Sequence, residues 1–568
     1  MQKLPIGKSD FKSIIQDNFY YIDKTQLITE IINASADVIL LPRPRRFGKT
    51  LNLSMLNYFF DIQEESGKLF EGLAVANNSA IMAHLNRYPI IYISFKDVKE
   101  ESFEQSIVKI GMLIEKEFAR HKKAIFSINL EEKERQLIER ILITSAYQVD
   151  FEVSFKLLSK LLTTAYNQKC IILIDEYDTP IQTAFLKGYY EEMVGFFKTF
   201  MGAALKDNDI HLYKAVLTGI LRVSKESIFS DLNNIEVYTL LNKEFNTHFG
   251  FTTQEVTQLL HDYQLQAHQE KVNEWYNGYK IGDETIFNPW SLLNFVNRGE
   301  IDVYWANTSS NDIIRILVEN SDGFREDLQY LLKGESVERV INPNITFKDR
   351  DFHFNEEMLY SFLFFSGYLK YTSKRWELGE HICQLSIVNE ECRYIFRKII
   401  ANWISEKFSN PRLRILLKSL TQGDLELFEK IFSEFVRDTL SFYDTAKTIE
   451  SVYHAFFLGL LVNLNDYEVI SNKEAGYGRV DIMLLHKHDK SKLALVIELK
   501  TIDVFEKESK ERALESAIEQ IEQKTYVSEL HKRGYDNTLA FGVVFDGKRV
   551  WVKRALLDQP SKRNLSIP

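Results

Sequence analysis

Four short, continuous apolar runs punctuate the first part of the chain, at 38–41, 90–95, 171–174 and 215–217. Each ends in polar or turn residues, and longer stretches with helical spacing separate them, as at 102–121 and 154–167. Continuous apolar strands alternating with helices predict a parallel sheet covered on both faces. Residues 1–235 therefore read as one α/β domain. From 236 to 439 the pattern is mostly helical, broken by the aromatic-rich WYNGYKIGDETIFNPW at 275–290, and a lid or linker is expected there. Beyond 440 a helix-like TIESVYHAFFLGLLVNL precedes short strands at 480–485, 493–499 and 540–545. A charged helical segment at 506–530 separates the last two. That predicts a second, smaller α/β unit over 440–568.

Bulk properties narrow the class. At 568 residues the chain is too long for one core, and about three or four domains are expected. It is 45% hydrophobic and 26% charged, the balance of a globular protein. A net charge of −10 argues against a uniformly basic surface while leaving room for a local basic groove. Cys170, Cys383 and Cys392 have neither metal-ligand spacing nor the number for a disulfide framework, so a reducing, cytoplasmic setting is expected. No apolar run reads as a secretory signal or a membrane span.

The run at 38–41 leads into RPRRFGKT, residues 43–50, and then into TLNLSMLNYFF. A phosphate-binding loop needs this order: a strand, a turn of exposed backbone N–H groups, and a helix N-terminus facing the anion. Gly48 lets the backbone approach phosphate, Lys49 reaches the β and γ oxygens, and the Thr50 hydroxyl binds Mg²⁺. Arg43 stands where the pattern G-x-x-x-x-G-K-[ST] begins with glycine, so a basic structural turn is the alternative. CIILIDEYD, residues 170–178, weighs against that alternative. It is an apolar strand ending in acids, with Asp175 suited to hold Mg²⁺ through water, Glu176 to orient or deprotonate an attacking water, and Asp178 to assist. In KAVLTGILRVS, residues 214–224, Thr218 is placed to sense a γ-phosphate. Arg222 either supplies charge to a transition state, in its own or a neighbouring subunit, or forms a surface ion pair. Arg46 joins Gly48, Lys49, Thr50, Asp175 and Thr218 as a nucleotide-contacting candidate. Arg43, Arg45 and Arg46 either add positive charge beside phosphate or report its presence to the rest of the chain.

A second constellation lies in GRVDIMLLHKHDKSKLALVIELK, residues 478–500. An antiparallel hairpin brings Asp481 beside Glu498, seventeen residues on, and beside Lys500. Strand alternation puts Glu498 and Lys500 on one face and Leu499 on the other, toward the core. Two carboxylates then bind a metal, and the lysine orients or deprotonates its water for attack on phosphorus. The alternative is a buried ion pair. Arg479 either steers a phosphate or forms a salt bridge. WYNGYKIGDETIFNPW and YWANTSSN, residues 304–311, suit either base stacking or a turn-dense subdomain with a packed aromatic core, and the second is expected.

YIDKT (21–25), RPRRFGKT (43–50), YPIIYISFKD (88–97), LIDEYDTPI (173–181), LTGILRVSKESIFSDLNN (217–234) and WYNGYKIG (275–282) together resemble the bacterial AAA-ATPase-like family. Its members commonly carry a C-terminal PD-(D/E)XK nuclease-like domain, which residues 440–568 resemble. RPRRFGKT is a usual form in that family, so Arg43 is no defect of this chain. The resemblance implies a P-loop NTPase parallel-sheet domain, a helical middle region and a restriction-endonuclease-like α/β domain. It implies ATP and Mg²⁺, with Mn²⁺ an alternative at the nuclease site. It also implies Glu450 as an extra acidic metal ligand and Gln520 near the metal, with Lys524 and Tyr526 following. For His454 and Tyr526, packing roles are expected. The function expected is ATP binding and hydrolysis coupled to a metal-dependent nuclease acting on nucleic acid, DNA ahead of RNA, with oligomerisation left open. The alternative is an ATP-driven switch that binds nucleic acid or a protein partner without cutting.

Overall fold

The computed structural model describes residues 2–143, 145–222, 228–229, 233–305, 321–344, 356–407, 410–439, 450–461, 464, 466–475, 478–502, 508–524 and 526–556. The chain forms two compact units, Met1–Ser321 with Ser336–Cys392, and Asp322–Glu335 with Arg393–Pro568.

The first unit is built on five parallel strands: β1 (Val38–Pro42), β2 (Ile90–Ser94), β3 (Cys170–Asp175), β4 (Leu212–Gly219) and β5 (Ile235–Val237). Their order is β2-β3-β4-β1-β5, so β1 and β3 both flank β4. Burial on both faces explains the unbroken apolar runs: every residue of β1 and of β3 is buried. The helix Lys49–Phe60 follows β1 directly and buries Leu53, Met55, Leu56, Phe59 and Phe60. The expected helices form as Phe103–Arg120, N-capped by the Ser102 hydroxyl, and Ser154–Tyr166, which ends at Asn167 in the left-handed conformation.

The middle of the chain is chiefly helical, as expected, and adds two small antiparallel sheets. One joins β6 (Phe251–Thr252), β7 (Tyr279–Ile281) and β8 (Glu284–Phe287); the other joins β9 (Val337–Ile341), β10 (Leu369–Glu377) and β11 (Glu380–Ile387). Residues 236–439 are shared between the two units. WYNGYKIGDETIFNPW supplies β7, β8 and a buried aromatic core in which Tyr276 packs near Phe295 and Tyr304.

The second unit carries a sheet of β12 (Tyr467–Ala475), β13 (Gly478–His486), β14 (Ala494–Thr501), β15 (Thr538–Asp546) and β16 (Arg549–Arg554), in sequence order. Only β14 and β15 pair in parallel, and the helices Lys510–Gln523 and Tyr526–Lys532 make the crossover. Period-two alternation sorts the side chains into two cores. Ile482, Leu484, Leu495, Ile497 and Leu499 pack with Phe432 and Phe457 on one face. Met483, Val496, Ile521, Tyr526 and Leu530 pack on the other.

Candidate functional site

The carboxyl ends of β1, β2, β3 and β4 converge on one carboxylate. Asp175, the last residue of β3, is fully buried and accepts hydrogen bonds from three hydroxyls. Thr50 Oγ1 donates to Oδ2 at 2.8 Å, Ser94 Oγ donates to the same oxygen at 3.2 Å, and Thr218 Oγ1 donates to Oδ1 at 2.7 Å. Burial raises the Asp175 pKa, Glu176 adds to the rise, and the threonine hydroxyls oppose it. Ser94 was not singled out in the sequence. Its signal is that it ends an apolar strand and pairs with Asp175 across β2 and β3.

The loop between β1 and its helix ends at Gly48, the N-cap residue of that helix. Gly48 is left-handed, with φ +82°, and a Cβ there would meet nothing within 4 Å. Lys49 is buried, and its ammonium donates to the carbonyls of Arg43 at 3.1 Å and Pro44 at 3.0 Å. Burial lowers the Lys49 pKa, while Glu176, Asp178 and Asp175 support its charge. Glu176 is half-buried and left-handed, with φ 51°, and accepts from the Thr179 hydroxyl at 3.3 Å. Glu176, Lys49, Thr50 and Arg46 line a cleft of about 750 Å³.

Asp178 takes a different part from the assisting acid expected. Its Oδ2 accepts from the Ile220 and Leu221 amides, both at 2.9 Å, and from Gln182 Nε2 at 2.7 Å. At 1% exposure it is a tie for the loop after β4, and it is not among the residues that line the cleft. Arg222 is half-buried, with Tyr177 supporting its charge, and among the described residues it adds nothing to the cleft wall.

In the second unit, the β13–β14 register pairs Ile482 with Ile497 and Met483 with Val496. One further step sets Asp481 opposite Glu498, and the Leu499 amide donates to Asp481 Oδ2 at 2.9 Å. Alternation places Asp481, Glu498 and Lys500 on the face shared by Met483, Val496 and Tyr526. Glu498 is 1% exposed and Lys500 half-buried. The Tyr526 hydroxyl feels both carboxylates: burial, then Glu498, push its pKa up to about 12, a hydrogen bond with Gln520 opposes that, and Asp481 adds to the rise. His454 Nε2 lies 3.2 Å from the Asp481 carbonyl oxygen, a backbone contact. Glu450 opens the helix Glu450–Leu461, but its side chain and that of Arg479 lie outside the described residues.

Known families match both regions. Residues 5–229 fit the profile described as predicted AAA-ATPase, and residues 448–555 fit that of the PD-(D/E)XK nuclease superfamily. The chain joins an AAA-ATPase-like domain to a PD-(D/E)XK nuclease-superfamily domain. It is also 24% identical over 545 residues to an uncharacterized protein in the vnfD 5′ region of Azotobacter chroococcum mcd 1, covering 94% of each chain. The nuclease-superfamily domain implies a nucleic acid substrate. Among the described residues, no helix is long and apolar enough to cross a membrane.

The donor chemistry of each domain fits the group its family uses. In the AAA-ATPase-like domain, a left-handed glycine, a buried lysine and a threonine–aspartate pair fit a magnesium-bound nucleotide. In the nuclease-superfamily domain, two carboxylates on one sheet face supply the hard oxygen donors that magnesium prefers. Among the described residues, no group of three or more His, Cys, Asp and Glu gathers as a metal cluster.

The arginines of RPRRFGKT have distinct surroundings. Arg43 is fully buried and turned away from the cleft. It donates to the carbonyls of Pro42, Tyr238 and Phe245, and its guanidinium lies 5.1 Å from the Phe249 ring centroid. Arg45 presents its carbonyl to Trp305 Nε1 at 3.3 Å. Arg46 is exposed and left-handed, with its guanidinium 4.3 Å from the Trp290 ring centroid. Phe47 packs edge-on against Tyr279. The loop is thereby seated on segments from 238 to 305, beyond the parallel-sheet strands.

Proposed function

We propose that the chain binds and hydrolyses ATP at the first site and cleaves phosphodiester bonds of nucleic acid at the second, with the nucleotide state regulating cleavage. Lys49 exchanges the Arg43 and Pro44 carbonyls for phosphate oxygens. Asp175 and Thr50 hold the metal, Thr218 reads the far end of the phosphate chain through its bond to Asp175, and Glu176 orients the attacking water and takes its proton. At the second site Asp481 and Glu498 hold the metal, and Lys500 positions the water that attacks phosphorus. Magnesium, or manganese at the second site, supplies charge neutralisation of the phosphoryl oxygens. Three buried cysteines with no disulfide suit a reducing, cytoplasmic setting.

The observation that carries the nuclease reading is the gathering of Asp481, Glu498 and Lys500 on one sheet face, with Glu498 almost wholly buried. A buried carboxylate is costly unless a cation or donors accompany it. Purified protein with Mg²⁺ or Mn²⁺ is expected to nick DNA, and Lys500→Ala to lower the rate by about 100-fold or more, on the scale of lost general acid–base catalysis. Undiminished nicking by that variant removes the assignment. Stable binding of DNA without any cutting by the wild type would favour the non-cleaving switch.

A further inference from the structure

The cleft that holds Lys49 and Glu176 is walled in part by residues the phosphate chemistry does not use. Pro5, Ile6, Phe251, Trp290 and Leu293 contribute apolar surface to the same 750 Å³ volume. Trp290 is the second residue of the helix Pro289–Arg298, which is N-capped by the Asn288 side chain. Its ring is only partly buried, packed against the core of Val256, Leu260 and Phe295. Its Nε1 donates to the Tyr304 carbonyl at 3.2 Å, which fixes the ring plane by its edge. One face carries the Arg46 guanidinium.

That stack joins two unlike features. Arg46 holds a left-handed backbone, φ 68°, which a non-glycine residue adopts only where surroundings over-determine it, and such positions cluster at ligand clamps. Its guanidinium also answers to the Glu176 carboxylate, which supports its charge against burial. A guanidinium held by an aromatic quadrupole gains less than one held by phosphate oxygens. A polyphosphate entering the loop therefore draws Arg46 off the ring, and the exposed indole face becomes an apolar platform. Planar bases stack on such faces whatever their hydrogen-bonding edge.

We propose that Trp290 is the base-stacking residue of this cleft: the nucleobase replaces Arg46 on the indole, and Arg46 moves to the phosphates. The inference rests on the nucleotide reading of the cleft and adds the means by which a nucleotide is told from a bare polyphosphate. It also gives WYNGYKIGDETIFNPW a chemical role at its last residue, within a segment that otherwise packs as a subdomain.

The test compares two ligands on the full chain by calorimetry, magnesium ATP and magnesium tripolyphosphate, with tryptophan emission followed in parallel. Trp290→Ala is expected to weaken ATP about 10-fold, on the order of 1.4 kcal/mol, and to leave tripolyphosphate within about 2-fold. Trp290→Phe, which keeps an aromatic face, is expected to recover most of the ATP affinity. ATP is expected to change the emission of wild type more than that of Trp290→Phe, which keeps the other tryptophans. Equal losses for both ligands in Trp290→Ala, or ATP affinity unchanged in it, overturn the stacking role while leaving the phosphate site standing. Should Trp290→Ala not fold, identical ATP-induced emission changes in wild type and Trp290→Phe overturn it. A wild-type chain that binds neither ligand overturns the nucleotide reading and the inference with it.

Discussion

Three acids within four residues of LIDEYD divide their work by what surrounds them. Asp175 accepts three hydroxyls at the sheet edge, Glu176 is turned into the cleft by a left-handed backbone, and Asp178 is closed off beneath the loop after β4. Spacing alone left Asp178 among the chemical candidates, because nothing local announces that two amides 42 and 43 residues away bond to it. The distinction predicts two opposite phenotypes. Asp178→Ala leaves those buried amides without an acceptor, and unfolding should cost about 2–4 kcal/mol less than in wild type, at roughly 1–3 kcal/mol per unsatisfied group with partial relaxation. Glu176→Gln keeps the size of the side chain and removes one charge beside Lys49, so it should cost about 1 kcal/mol or less, yet stop ATP turnover. Thermal unfolding beside a phosphate-release assay separates them. A stable, inactive Asp178→Ala would return that acid to the chemistry.

At the scale of elements, a single carboxylate fastens pieces distant in sequence. Glu391, at the start of the helix Glu390–Lys407, accepts from the Tyr304 and Trp305 amides, both at 2.6 Å, and from the Ser291 hydroxyl at 2.7 Å. It thus holds the neighbour of Trp290 and the segment whose indole bonds to Arg45, beside the phosphate loop. Burial raises its pKa to about 7, against the donors that favour its charge. The folded value lies above the unfolded one near 4.5, so between those values the folded state binds more protons. The stability contributed is full below about pH 4.5 and lost as pH rises toward 7, at up to roughly 1.4 kcal/mol per pH unit. Denaturant titrations from pH 5 to 7.5 should show that slope in wild type, and Glu391→Gln should flatten it; an unchanged slope in the variant would place the titration elsewhere. Tertiary ties of this kind are what the sequence conceals. The strands β1 to β4, β13, β14 and β15 were legible because burial on both faces writes them as continuous apolar runs. β12, YEVISNKEA, and β16, RVWVKR, lie at the sheet edges, and their mixed polarity gives no such run. The small sheets β6 to β8 and β9 to β11 pass unseen for a related reason: β6 to β8 have two to four residues, and β10 exposes most of its side chains. The helical segment expected at 506–530 is instead two helices, Lys510–Gln523 and Tyr526–Lys532.

For the whole molecule, the question is whether two phosphorus-directed sites in one chain act separately. Thr50 and Asp175 lie in one compact unit, and Asp481 and Leu499 in the other. On the proposed reading, any dependence between them passes through conformation. RPRRF is seated on Tyr238, Phe245, Trp290, Trp305 and Tyr279, and on the proposed reading these contacts carry the occupancy of the loop beyond the parallel sheet. Coupling of this kind is a free-energy difference between states, commonly 5- to 150-fold in effect. Lys500→Ala is accordingly expected to lose cleavage and to keep ATP turnover within about 2-fold, since it lies in the second compact unit. Lys49→Ala is expected to lose ATP turnover and, with ATP present, to lower cleavage by about 10-fold, within that coupling range. Both activities measured on both variants form a two-by-two comparison. Full cleavage by Lys49→Ala, with or without ATP, would mean that the nuclease runs independently and that the seating of RPRRF stabilises the first unit without informing the second.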